Sequence, residues 1–408
     1  MSVYGLLGET LRHSFSPQIH ACLGAYEYRL FEIQPEDVRA FLEERAFDGM
    51  NVTIPYKKTV IPYCAELSDR ARRIGSVNTI IKRDDGSLFG DNTDYFGFAA
   101  LLDDTSFDPA GQKAVILGSG GSSATVRAVL EDRNSREIVV ISRSGENNYQ
   151  NLHLHRDAAL IVNTTPVGMY PHTGVSPIVL DDFPACRAVI DIIYNPAKTR
   201  LLLDAEAKGI PCVNGLKMLT AQAKRAAELF TGKPIRDSLI GEITDGIMRQ
   251  TMNVVLIGMP SCGKTTVGNA LAQITSRELL DTDTLIERQS GRSIPEIIET
   301  DGVEAFRKLE TATLAQVTNQ SGKVIATGGG IVTVPENLPL IRQNSVCVFL
   351  HRDLQKLTDE GRPLSKQYGV ETLYKQRLPL YREFAEFEID SNASIGDVAQ
   401  AIKEALQL

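Results

Sequence analysis

The 408-residue chain has no apolar run approaching the roughly 18–20 residues that a helix needs to span a bilayer. Its start, MSVYGLLGETLRHS, lacks a charged stretch followed by a long apolar core, so no signal peptide is expected and the place of action is read as cytoplasmic. Positive charge is not in excess. The 43 Lys and Arg against 51 Asp and Glu leave a formal net charge of −8, which argues against nucleic acid or a membrane surface as partner. The cysteines (Cys22, Cys64, Cys186, Cys212, Cys262 and Cys347) show no C-x-x-C and no zinc-ligand spacing, and read as free thiols in a reducing compartment. Only Cys262 falls where oxidation would matter. The remaining composition is that of ordinary globular protein, and the length suits two or three domains.

The stretch that organises the chain lies past its middle, at Asn253–Gly268, NVVLIGMPSCGKTTVG. An apolar run, Val254–Ile257, reads as a buried parallel strand. Gly258, Gly263, Lys264 and Thr265 then stand at the spacing G-x-x-x-x-G-K-[ST], ahead of a helical run from Thr266. Glycines at these places let backbone N–H groups turn inward around phosphate oxygens, and the following helix points its positive end at them. Lys264 can reach the outer phosphates, and the Thr265 hydroxyl can ligate Mg²⁺. This is a nucleotide phosphate site, and such a site normally opens a domain.

The first hundred residues carry a different polar set. Val3–Leu7 reads as a strand, and Ser14 and Ser16 precede a helix begun by Pro17. A second strand runs into Thr53-Ile54-Pro55-Tyr56-Lys57, a third segment carries Asn78 mid-strand, and Gly90-Asp91-Asn92-Thr93-Asp94 closes the region. Hydroxyls, an amide, an amine and a carboxylate delivered to strand ends suit a small polyhydroxy carboxylate. H-S-x-S-P-x-x-H, G-x-N-V-T-x-P-x-K, G-x-V-N-T and G-x-N-T-D-x-x-G, in this order, resemble the shikimate dehydrogenase family, with Ala21 as a minor departure. The resemblance covers about residues 3–245. It implies that Ser14, Ser16, Thr53, Asn78, Tyr194 and Gln222 bind the substrate, and that Lys57 and Asp94 form the catalytic pair.

Lys113–Leu117 is a short strand entering Gly118-Ser119-Gly120-Gly121-Ser122-Ser123, a G-x-G-x-x-G variant with Ser123 at its third place. The next strand, Glu137–Ile141, ends in Ser142-Arg143-Ser144. An arginine between two hydroxyls, where NAD would want an acid, favours the 2′-phosphate of NADP. Asn163, Thr165, Gly215 and Met218 complete the NADP(H) site that the resemblance implies. Only Gly145–Ala158 separates Arg143 from the next strand, so one crossover helix is expected to be missing. Tyr149–Leu154 reads as a strand, with an antiparallel return at the sheet edge and His153-x-His155 on an exposed strand face. Gly209–Val213 is the last strand of this part.

After the phosphate loop come Asp281-Thr282-Asp283, Phe306-Arg307-x-x-Glu310, Gly328-Gly329-Gly330, Arg362-Pro363-Leu364 and Arg377-Leu378-Pro379-Leu380-Tyr381. In this order they resemble the shikimate kinase family over residues 253–408. The resemblance implies ATP on Gly258, Pro260, Ser261, Cys262, Gly263, Lys264, Thr265, Thr266 and Arg362, and Mg²⁺ on Thr265 and Asp281. Asp283, Arg307, Gly328, Gly329, Gly330 and Arg377 would hold shikimate, with Glu310 bracing Arg307. Asp283, Lys264 and Arg362 would be catalytic. The stretch Arg352–Gly361 is short for the family's lid, and offers Lys356 in place of a second arginine.

The expected architecture is α/β throughout. A two-lobed dehydrogenase-like unit has a shikimate-binding lobe at 1–100, completed by a helix at 235–250, and a trimmed Rossmann-like NADP lobe at 101–234. A P-loop kinase domain with a parallel sheet follows at 253–408. The expected activities are NADPH-dependent reduction of 3-dehydroshikimate and ATP-dependent phosphorylation of shikimate, with monomer or homodimer left open. Two alternatives stand: a quinate/shikimate dehydrogenase preferring NAD, or one half acting as a silent regulatory binding module.

Overall fold

The computed structural model describes residues 2–11, 14–358 and 368–408, so Arg362 lies outside the described residues. The chain divides into two compact units. The first comprises Met1–Val167, Ser176–Tyr194 and Asp204–Asp245; the second comprises Gly168–Val175, Asn195–Leu203 and Gly246–Leu408. Among the described residues no helix is long and apolar enough to cross a membrane.

The first unit holds two sheets. Strands β1 (Val3–Gly8), β2 (Glu27–Glu32), β3 (Gly49–Val52), β4 (Glu66–Leu67), β5 (Thr79–Lys82) and β6 (Leu88–Asp91) lie in the order β2-β1-β3-β5-β6-β4. β1 pairs in parallel with β2 and β3, whereas β5 runs antiparallel to β3 and β6. Asn78 therefore sits just before β5 rather than within a strand, because the ladder to β3 begins at Thr79. β3 is buried along its whole length, as expected of a strand covered on both faces.

The second sheet is built from β7 (Lys113–Leu117), β8 (Glu137–Ile141), β9 (Leu160–Asn163), β10 (Ala188–Asp191) and β11 (Cys212–Asn214), in the order β11-β10-β9-β7-β8, all parallel. The strand direction of winding reverses between β7 and β9, where α/β sheets place their ligands. β11 starts later than Gly209 because that glycine, at φ 67°, ends the preceding helix with its N–H on the Glu206 carbonyl.

Between β8 and β9 there is no α-helix, but neither is there the expected strand or antiparallel return. Leu152–His155 forms a 3₁₀ turn, and β9 joins β7 in parallel. Asparagines explain the difference. Asn151 Oδ1 accepts from the Asn148 N–H (2.7 Å), Asn151 Nδ2 donates to the Glu146 carbonyl (2.8 Å), and Asn148 Nδ2 donates to the Gly145 carbonyl (3.1 Å). Side chains that bond the local backbone in this way compete with a strand ladder and win here. His155 is buried, with Nε2 3.1 Å from Asn147 Oδ1, and so does not stand on an exposed strand face. The segment is tied down by buried Lys113, whose Nζ reaches Asp157 at 2.9 Å and Glu137 at 3.3 Å.

The second unit holds β12 (Asn253–Ile257), β13 (Glu278–Asp281), β14 (Lys323–Ala326), β15 (Ser345–His351) and β16 (Phe387–Asp390), in the order β13-β14-β12-β15-β16, all parallel. Wholly buried β12 is the centre. Val267 and Leu271 of the Lys264–Thr275 helix, Leu314 and Val317 of Val303–Thr318, and Val398 and Ile402 of Ile395–Leu406 share its core.

One core group in the first unit titrates abnormally. His20, on the Ser16–Leu23 helix, is buried with its ring stacked 3.9 Å from that of Tyr28 and Nδ1 2.7 Å from the Tyr26 hydroxyl. Burial pushes its imidazole down from 6.5 to about 3. Below pH 6.5 the unfolded chain takes up a proton that the folded one refuses until about pH 3. This contribution is therefore intact above pH 6.5 and is lost as pH falls, at about 1.4 kcal/mol per pH unit. Between pH 7 and pH 5 the first unit of a His20→Gln chain should lose about 2 kcal/mol less stability than the parent, read from urea midpoints.

Candidate active sites

In the first unit a cavity of about 510 Å³ opens at the carboxyl ends of β1, β3 and β10. Ser14, Ser16, Thr53, Lys57, Asn78 and Asp94 line one wall, and Tyr194, Gly215, Met218 and Gln222 another. Lys57 Nζ lies 2.5 Å from Asp94 Oδ2, and both side chains are largely shielded from water. Asp94 begins the Asp94–Asp104 helix, whose positive end favours its carboxylate. The Asn78 amide is held in one orientation. Its Oδ1 accepts from the Thr93 N–H at 2.6 Å and the Thr79 hydroxyl at 3.1 Å, leaving Nδ2 to face Gln222 Oε1 at 3.5 Å. Gln222 is fixed in turn, since its Nε2 donates to the Leu219 carbonyl at 2.9 Å. Ser14 Oγ accepts from the Ser16 N–H at 3.2 Å. The cavity thus presents hydroxyls, an amine and oriented amides around a space fit for a polyol.

The dinucleotide loop lies at the end of β7. Gly118 takes φ 102° and donates its N–H to the Ile141 carbonyl at 2.8 Å, the tight turn that this position requires. Gly120 and Gly121 face open space: a Cβ added at either would meet nothing within 4 Å. That bare backbone at the start of the Gly121–Asp132 helix fits a pyrophosphate. Ser123, in the third place of the motif, is buried. Arg143 and Ser144 are exposed beyond β8, while the Ser142 N–H is bonded to the Asn147 carbonyl. Asn163 is fully buried. Its Oδ1 accepts from the Thr165 N–H (3.0 Å) and hydroxyl (2.7 Å), and its Nδ2 donates to Asp191. It shapes the Thr165 turn rather than presenting its own amide.

Met218 lines the cavity and also packs in the core around β7. Gly215, in front of it, has no room for a side chain, since a Cβ would stand 1.9 Å from the Ile192 carbonyl oxygen.

In the second unit a cavity of about 350 Å³ gathers Thr265, Asp281, Asp283, Arg307, the three glycines and Arg377. Gly258 (φ 147°) and Gly263 (φ 98°) take backbone conformations open to glycine. Lys264 is buried, with Nζ 2.9 Å from the Gly258 carbonyl and 3.0 Å from that of Met259. The Thr265 hydroxyl donates to Asp281 Oδ2 at 2.6 Å, and Asp281 Oδ1 caps the next helix by accepting from the Thr284 N–H at 3.1 Å. The hydroxyl and carboxylate that the sequence assigns to a cation are therefore adjacent, and as hard oxygen donors they suit Mg²⁺.

Arg307 pairs with Glu310, whose carboxyl burial holds above the usual range against the pull of Arg307 and with support from Asp283. A Cβ on Gly328 would stand 2.3 Å from Glu310 Oε1 and 2.9 Å from Asp283 Oδ1. Arg377 Nη1 donates to the Gly329 carbonyl at 3.1 Å, and the Tyr381 hydroxyl donates to the same oxygen. Of the three glycine amides, that of Gly328 already donates to the Thr282 hydroxyl at 3.3 Å. Pro260, Ser261 and Thr266 stand on or beside the phosphate loop, whereas Cys262 is buried under it, away from oxidants.

Residues 6–80 match the family described as the shikimate dehydrogenase substrate binding domain, and residues 260–407 match shikimate kinase. The chain is 36% identical over 252 residues to the shikimate dehydrogenase (NADP(+)) of Clostridium beijerinckii, covering 92% of that protein and 56% of this one. The chain belongs to the shikimate dehydrogenase family. Beyond the dehydrogenase part it carries a shikimate kinase domain. The shikimate dehydrogenase (NADP(+)) of Methanopyrus kandleri is 38% identical over 267 residues, 91% of its length and 57% of this chain. Among solved structures, the chorismate mutase/shikimate 5-dehydrogenase fusion of Clostridium acetobutylicum superposes with a TM-score of 0.58 at 35% identity, over 60% of this chain and 96% of that one. The shikimate 5-dehydrogenase of Thermus thermophilus in complex with NADP(H) and shikimate gives 0.55 at 32% identity, over 60% and 98%.

Some residues of the dehydrogenase and kinase sites escaped the sequence reading. Thr93 stood inside the G-x-N-T-D motif, but only the fold shows its N–H fixing Asn78. Tyr381 stood inside R-x-P-x-Y, and its hold on the glycine turn is likewise tertiary. The crowding at Gly215 can be measured directly. Gly215→Ala in the dehydrogenase part should cost about 3 kcal/mol of stability, while Gly120→Ala should stay within about 0.5 kcal/mol, both by denaturant titration.

Proposed function

We propose that the chain catalyses two consecutive reactions: reduction of 3-dehydroshikimate by NADPH, then transfer of the ATP γ-phosphoryl to the shikimate 3-hydroxyl. The observation that carries this reading is the pairing of an amine–carboxylate couple in a polyol-shaped cavity with a P-loop beside a two-arginine cavity. The product of the first reaction is the substrate of the second. On this reading residues 1–100 with 235–250 bind shikimate, 101–234 bind NADP(H), and 253–408 form the kinase, working in the cytoplasm on small molecules alone.

In the first site NADPH, held at the dinucleotide loop, would supply a hydride to the carbonyl carbon. Ser14 and Ser16 hold the carboxylate; Thr53, Asn78, Tyr194 and Gln222 hold the ring and its hydroxyls. Lys57, oriented by Asp94 at 2.5 Å, gives a proton to the carbonyl oxygen as negative charge develops there. Arg143 would meet the 2′-phosphate, and Gly118 would turn the chain so that the open backbone at Gly120 and Gly121 meets the pyrophosphate. In the second site Arg307 and Arg377 grip the carboxylate and Asp283 takes the proton of the attacking hydroxyl. Mg²⁺ bound at Thr265 and Asp281 would offset phosphate charge, and Lys264 leaves the Gly258 and Met259 carbonyls for the outer phosphates.

The deciding assay gives the intact chain 3-dehydroshikimate, NADPH and Mg·ATP, and looks for shikimate 3-phosphate. Lys57→Met should lower reduction by about 10³-fold or more while phosphorylation stays within about twofold, and Lys264→Met should do the reverse. Either variant retaining its own reaction would sink the assignment. A chain that reduced its substrate faster with NADH than with NADPH would favour a quinate/shikimate dehydrogenase preferring NAD, and Arg143 opposes that. A wild-type chain lacking one reaction would make that half a regulatory module.

The glycine turn offers a separate check. Gly328→Ala places a methyl group against Glu310 and Asp283, so kinase kcat/KM should fall by about 100-fold or more with reduction untouched.

A further inference from the structure

Arg352 follows directly on β15, in a place that no motif of the sequence marks. The described chain from Leu350 to Thr358 runs along the phosphate loop and touches it repeatedly. A Cβ on Gly258 would stand 2.7 Å from the Leu350 carbonyl oxygen. Ser261 Oγ donates to the Thr358 carbonyl at 3.0 Å, and the Thr358 hydroxyl donates to Ser261 Oγ at 3.2 Å. Between these two contacts the Arg352 guanidinium lies over the last glycine of the loop, with Nη1 3.7 Å from where a Cβ of Gly263 would be.

Among the described residues nothing matches the charge of this arginine. Its Nε is buried and has no hydrogen-bond partner, and among the described residues no carboxylate pairs with it. The nearby described acids Asp353 and Asp281 are engaged elsewhere. Asp353 faces Lys356 at 3.8 Å, and Asp281 takes the Thr265 hydroxyl and the Thr284 N–H. The neighbouring His351 turns to the Tyr374 hydroxyl at 2.8 Å and to Glu388 at 3.4 Å. A partly buried guanidinium beside backbone shaped for phosphate oxygens is best stabilised by an anion placed between them.

We propose that Arg352 is a further phosphate contact of the nucleotide site, its guanidinium meeting ATP phosphate oxygens from the end of β15 while Lys264 meets them from the helix. This rests on reading the second unit as a kinase. It gives the site a cation fixed by a sheet strand before nucleotide arrives, in a chain whose segment from Arg352 to Arg362 is short and carries Lys356 where an arginine was expected.

Calorimetry on the full chain tests it with Mg·ADP and with inorganic tripolyphosphate, which has no adenosine. Arg352→Met should weaken both by roughly tenfold or more, the scale of a charge-assisted bond. Shikimate affinity and the reduction rate should stay within about twofold, showing both units folded. Arg352→Gln, polar and close in length, serves should the methionine variant fail to fold, and the same readings decide. Unchanged tripolyphosphate binding would overturn the proposal, whether ADP is unchanged too or is weakened through its adenosine alone. A parent chain that binds tripolyphosphate but makes no shikimate 3-phosphate would instead sink the kinase reading and leave the Arg352 measurement standing.

Discussion

A strand covered on both faces keeps most of its polar side chains for its ends, and both candidate sites follow from that constraint. β3, β7, β9, β10 and β12 are buried from end to end. Each hands its chain to a polar turn at the carboxyl edge. β3 leads to Thr53 and Lys57, β7 to the Gly118 turn, and β12 to the phosphate loop. Where a strand keeps a polar residue at its last position, that residue is spent on the turn that follows. Asn163 holds Thr165, and Asp191 accepts from the Ile193 N–H. The sheets therefore fix where chemistry can occur, and the turns decide which chemistry it is.

Within those turns, absence of a side chain is used in two different ways. Gly120 and Gly121 leave open space at the start of their helix, so a methyl group there meets nothing of the protein itself. Gly215, Gly328 and Gly330 leave space that the protein already fills, with a carbonyl, two carboxylates and the Arg307 guanidinium respectively. The second use draws charged groups together. Glu310 and Asp283 both close on Gly328, and Arg307 balances them from the Gly330 side, so one cluster of opposite charges is drawn together over the glycine turn.

Motif residues separated along the chain were legible because their types and order are so restrictive. Lys57 and Asp94 are far apart in sequence and meet at 2.5 Å; Arg307 and Arg377 share one cavity. The short link after β8 was legible as a missing helix, since too few residues remain for a crossover helix. Its course was not. Alternating character at Tyr149–Leu154 suggested a strand, but Asn148 and Asn151 bond nearby backbone, and periodicity cannot register that competition. His155 likewise became a buried anchor through Asn147, not a surface residue.

The phosphate loop, the triple-glycine turn after β14, and the dinucleotide turn were legible in the sequence itself, because each needs particular residues at fixed spacing along a single stretch of chain. Tertiary structure alone decided which way the Asn78 and Gln222 amides face, that Cys262 lies out of reach, and that Arg352 leans over Gly263. Those outcomes depend on what arrives from elsewhere in the chain once the sheets close. Spacing along a sequence carries local backbone geometry, but the partner that pins, buries or leaves a charge unmatched is chosen only by packing.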